Sequence, residues 1–126
     1  VSGRPGTARA VAFAAVLVPV LVGCGAERVC PAVGWSNTLV VELDPAWPEL
    51  DGAAVRVAGG YSGAAPLTGR SAEVQLDMSV PDTVVVTVLD ARGAVLTDAE
   101  TEPEWRRVGG TAECGGPAEA TVVVDR

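Results

Sequence analysis

The chain has 126 residues, with nine arginines, sixteen acidic residues, and neither lysine nor histidine, for a formal net charge of −7. Such a length fits one domain whose core folds alone but is small enough to gain from a disulfide. The negative balance repels nucleic-acid phosphates and offers no polybasic patch to anionic lipid. Without His or Lys there is no Ser-His-Asp, Cys-His or Ser-Lys arrangement to activate Ser36, Ser62, Ser71 or Ser79.

Residues 10–23 form an unbroken apolar run of fourteen that stops at Cys24, with Arg4 and Arg9 ahead of it. Three readings compete. A transmembrane helix needs about 20 apolar residues, and Pro19 breaks the second half of this shorter run. An uncleaved membrane anchor and a buried core helix are the alternatives. A secretory signal peptide has a basic start, an apolar stretch of about 7–15 residues and a small residue before the cut, and it fits best. No Ala-x-Ala site follows the run.

Leu21-Val22-Gly23-Cys24 resembles the lipobox of bacterial lipoproteins. The resemblance implies cleavage before Cys24, a thioether-linked diacylglycerol on its sulfur (often with a further N-acyl chain), and residence on the outer face of the cell membrane. One acyl chain holds marginally, whereas two or more hold stably. The expected organisation is a signal peptide over 1–23, a lipidated tether over 24–37 and a folded domain over 38–126. Two arginines precede Cys24 and all sixteen acids follow it, so the domain carries seven positive against sixteen negative side chains, a net of −9. The absence of lysine beside abundant Ala, Gly, Val and Arg resembles a GC-rich genome such as an actinobacterium's, and Val1 is read as a GUG start.

Cys24, Cys30 and Cys114 allow three pairings. With lipid on Cys24, as the lipobox resemblance implies, Cys30–Cys114 remains, in a compartment that permits oxidation. Two free buried thiols are the alternative. Two cysteines without histidine do not make the usual four-ligand zinc set.

Beyond the tether the hydrophobic period is 2. Residues 38–44 place Leu39, Val41 and Leu43 on one face; 53–58 turn Val55 and Val57 inward. Residues 72–80 alternate throughout, with Ala72, Val74, Leu76, Met78 and Val80 inward. Residues 83–89 are apolar on both faces, as in a strand covered on both sides. Weaker strands are expected over 94–98 and 104–108, and a clear one over 118–124. Asp51-Gly52 and Pro81-Asp82 mark turns. Asp90-Ala91-Arg92-Gly93 reads as a type I turn followed by a left-handed glycine. About seven short strands predict an all-β, two-sheet sandwich, with an up-and-down barrel as the alternative.

The stretch from Trp105 through Cys114 to Val124 resembles the end of small, uncharacterised actinobacterial β-sandwich lipoproteins. That resemblance implies an immunoglobulin-like or transthyretin-like sandwich and carries no activity with it.

Candidate site residues are few. Trp47, between Pro45 and Pro48, and Tyr61, in a thirteen-residue glycine-rich connection, are candidates for stacking on a glycan or anchoring a partner protein. The competing reading of Trp47 is a lid on the end of the core. Trp35 and Trp105 are expected to pack around the disulfide. Asp98, Glu100, Glu102 and Glu104 fall at every second position, and Asp44, Glu49 and Asp51 cluster, so Ca²⁺ is the metal to consider. Neither group has EF-hand spacing, and solvated acidic faces are the plainer reading. No cofactor and no catalytic residue is expected. The expectation is a membrane-anchored, non-catalytic binding module acting on an envelope protein or glycan. An accessory subunit of an envelope complex and a carboxylate-based Ca²⁺ domain are the alternatives.

Overall fold

The computed structural model describes residues 2–3, 6, 29–59 and 61–126. The apolar run, the signal peptide expected over 1–23 and Cys24 lie outside the described residues. Eight strands follow in chain order: β1 (Asn37–Leu43), β2 (Ala54–Gly59), β3 (Tyr61–Pro66), β4 (Ser71–Leu76), β5 (Val84–Leu89), β6 (Val95–Thr101), β7 (Arg106–Arg107) and β8 (Ala118–Val124). They build two four-stranded sheets, β4-β1-β8-β7 and β3-β2-β5-β6, packed as a sandwich. All ladders are antiparallel except β1–β8, which is parallel.

The core follows from the alternation. Successive side chains of a strand point to opposite faces, so every second residue is delivered to the interface between the sheets. Leu39, Val41 and Leu43 of β1 meet Val55 and Val57 of β2, Val74 and Leu76 of β4, Val84, Val86 and Val88 of β5, and Val122 and Val124 of β8 in one buried cluster. Each such side chain contributes about 1.5–3 kcal/mol by leaving water. The intervening residues of β8, Glu119, Thr121 and Val123, face solvent.

Turn chemistry holds the strands in register. Between β5 and β6 the Asp90 N–H donates to the Ala94 carbonyl (2.9 Å), and Gly93 takes φ +83°. The Asp90 carboxylate accepts the N–H groups of Arg92 (2.9 Å) and Ala94 (2.8 Å), as the type I turn requires.

Four expectations change. The glycine-rich connection contains β3, an edge strand whose sequence, YSGAAP, lacks the branched alternation of its neighbours. Pairing with β2 along its whole length makes it a strand. A side chain at Gly63 would lie 2.8 Å from Val74 Cγ1 and 3.0 Å from the Gln75 carbonyl, so glycine lets β3 close against β4. The alternation over 72–80 stops pairing at Leu76, and Met78 and Val80 are exposed instead of inward. β5 buries Val84, Val86 and Val88, but its second face is covered only in part: Thr87 is buried there and Val85 is exposed. The weak strand expected over 104–108 shrinks to Arg106 and Arg107.

Parallel pairing explains the disulfide. Because β1 and β8 run in the same direction, their entries lie at the same end, and Cys30 and Cys114 meet there with Cα atoms 5.2 Å apart. Trp35 lies over Gly115, next to the bridge. Asn37, 1% exposed, donates from Nδ2 to the Ser79 carbonyl and accepts from the Ala118 N–H through Oδ1, each at 2.8 Å. One side chain thus ties the starts of β1 and β8 to the β4–β5 connection.

Candidate functional site

The two long sides of the sandwich differ. On one side β3 and β4 pack together across the gap between sheets. On the other, β8 pairs with β7 only at Ala118 and Glu119, so Ala120–Val124 has a ladder partner on the β1 side alone. The Pro117 carbonyl accepts from Val108 on the β7 side, whereas the Val124 carbonyl accepts from Asp44 on the β1 side. Backbone groups of successive strand residues point to alternate sides, so Thr121 and Val123 direct their N–H and C=O outward, along the unpaired edge.

Next to that edge lies a cleft of about 410 Å³ lined by Glu104, Trp105, Arg106, Glu119, Ala120 and Thr121. Trp105 is fixed as its wall: the indole packs against the core, and its N–H donates to the Pro81 carbonyl at 3.0 Å. Trp105 is thus held by the β4–β5 connection through Pro81, and Trp35 lines a cleft with Cys114. The combination of unpaired backbone, an adjacent aromatic wall and the flanking charges of Glu104, Arg106 and Glu119 suits an extended peptide. Main-chain bonds supply attachment and the cleft receives a side chain.

The other candidates fall elsewhere. Trp47 is 7% exposed, packed in the core, with its indole N–H donated to the Val124 carbonyl at 3.1 Å. Arg70 donates to the Trp47 carbonyl, and the Asp44 carboxylate accepts from the Ala46 N–H at 2.7 Å, so the loop is folded inward. The binding role for Trp47 is thus corrected to the lid role. Pro45 and Pro48 stiffen the loop that lays the ring over the core instead of lifting it off. The Tyr61 ring lies outside the described side chains. Its backbone starts β3, at the end of the β2–β3 hairpin remote from Trp47, so the two residues do not share one end of the sandwich.

Asp98 and Glu100 lie on exposed positions of β6, but the strand ends at Thr101, and Glu102 and Glu104 leave its register. Asp98 accepts a hydrogen bond from Thr87 Oγ1 across the β5–β6 ladder. Among the described residues no group of three or more His, Cys, Asp or Glu side chains converges on a common point. The same residues hold no helix long and apolar enough to cross a membrane.

Comparison with family models, with curated proteins and with solved structures finds no match to this chain. Function therefore has to be argued from the site.

Proposed function

We propose that the protein is a lipid-anchored, extracytoplasmic interaction module without catalytic activity, which holds an envelope protein by taking an extended segment of it onto the edge of β8. The observation that carries this reading is the half-paired β8, with Thr121 and Val123 directed outward beside the Trp105 cleft. Burial of Trp47 removes one of the two aromatic side chains offered for glycan stacking, and supports the accessory-subunit form of the reading. The anchor is supported by Leu21-Val22-Gly23-Cys24 after the apolar run, and by the pairing of the other two cysteines with each other.

The test is crosslinking in the protein's own cells followed by recovery of the membrane-anchored form. The native chain is expected to bring down a discrete partner. Thr121→Pro, which removes an outward N–H and none of the β1 ladder bonds, is expected to lose it. Equal recovery with Thr121→Pro, or recovery of nothing above a Cys24→Ala control, contradicts the reading.

A further inference from the structure

The disulfide-bonded end of the sandwich gathers apolar side chains that no strand buries. Of the nine exposed large hydrophobic residues among those described, five sit there: Val29 (89% exposed), Val33 (65%), Met78 (47%), Val80 (52%) and Val108 (52%). Contacts on several segments place them together. The Gly34 position lies 3.8 Å from Met78 Sδ, and Asn37 binds the carbonyl of Ser79, the residue before Val80. Val108 donates to the Pro117 carbonyl (2.8 Å). Pro117 and Val33 line one apolar cleft of about 360 Å³ with the half-buried Trp35. The far end, by contrast, tucks Trp47 inside; acids occur at both ends, with half-buried Asp44 and Asp90 and exposed Asp51 there, and exposed Asp77, Asp82 and Glu113 around the apolar rim here.

We propose that this end is a bilayer-contacting face, seated at the boundary between headgroups and acyl chains of the membrane that holds Cys24. The inference rests on the reading of Cys24 as lipid-modified. Only five residues lie between Cys24 and Cys30, and the six Cα–Cα steps that join them span about 20 Å at full extension. Cys30 is fixed to the Cys114 loop at this end of the fold, so the tether brings the apolar rim, and not the Trp47 end, down on the membrane. The occupant is the uncharged apolar boundary of the bilayer. Anionic headgroups are repelled by a domain whose net charge after residue 23 is −9. A half-buried tryptophan beside exposed aliphatic side chains suits that depth, since indole sits readily where apolar tails meet water. Seating this end downward also sets β8, which runs from this end to the Trp47 end, roughly along the membrane normal, with its open edge free to the side.

The experiment uses the full lipidated protein in phosphatidylcholine vesicles carrying a trace of a diazirine-labelled phosphatidylcholine, with crosslinked residues mapped by peptide mass analysis. Intact mass is measured first. The expected result is a lipid adduct on Cys24 and photolabel concentrated in 29–35, 78–81 and 108, at least fivefold above 44–52 and 90–94. The pair Val33→Asp and Val80→Asp, both at exposed positions, is expected to cut that label at least threefold while the protein stays on the vesicles. A lipid adduct with label spread evenly, or concentrated at the Trp47 end, overturns the proposal and leaves the anchor standing. A chain without lipid that does not float with vesicles overturns both.

Discussion

At the residue scale, Asn37 joins three segments of the fold through one buried side chain. Its carboxamide satisfies the Ser79 carbonyl and the Ala118 N–H from a fully buried position. Truncation leaves both without a partner inside the protein, and each orphaned group costs about 1–3 kcal/mol. Asn37→Ala is therefore expected to lower stability by about 2–4 kcal/mol in urea unfolding. Thr101 is the opposite case. Its Oγ1 is buried at the end of β6 without a hydrogen-bond partner among the described residues, so Thr101→Val, close in shape, is expected to leave stability unchanged or raise it by up to about 1 kcal/mol. Asp77 titrates below its ordinary value of 3.8 because the Ser79 hydroxyl, and then the Ser79 N–H, donate to its carboxylate. A lowered folded-state value gives a contribution present above 3.8 and lost as pH falls through the lowered value. Ser79→Ala is expected to move the Asp77 titration, followed by NMR, part of the way back toward 3.8. The Asp77–Ser79 pair is local, two residues apart, but the roles of Asn37 and Thr101 cannot be read from their own neighbours in sequence. Asn37 looks like the last residue of a polar tether, and only the convergence of β1, β8 and the β4–β5 connection makes it central.

At the element scale, the strands whose own residues alternate were legible: β1, β2, β8, and β4 as far as Leu76. There the pattern and the buried face are the same fact. β3 was not legible, because YSGAAP has no face of its own; its order comes from the β2 ladder and from the small residues that let it approach β4. Met78 and Val80 continued the alternation past the end of the ladder, and a period-2 pattern does not record where the partner strand stops. The candidate site was hidden for the same reason. An open edge is a property of the sheet order and of how short β7 is, and no residue type announces it. Since Thr121 directs its N–H away from β1, Thr121→Pro is expected to stay folded, with a urea midpoint near that of the native chain. Val122→Pro removes a β1–β8 ladder bond from the core strand and is expected to unfold the domain.

At the scale of the whole molecule, the disulfide closes a loop with a sequence separation of 84 residues and locks the first strand to the last. Its reduction removes a constraint on the unfolded chain worth about 4–5 kcal/mol on the chain-entropy account. A sharp fall in thermal midpoint on reduction is the expected outcome, and an unchanged midpoint contradicts it. The bridge, the rim of aliphatic side chains and the tether all lie at one end, whereas the half-paired β8 lies along one side. Attachment and recognition are thereby assigned to different surfaces of one small sandwich. The recognition surface is tested most directly by amide hydrogen exchange along β8 in the folded, disulfide-bonded protein, with no partner added. Slow exchange at Ala120, Val122 and Val124 alternating with fast exchange at Thr121 and Val123 is the predicted result. Slow exchange at all five positions means that the edge is already covered within the chain, and contradicts strand addition at β8.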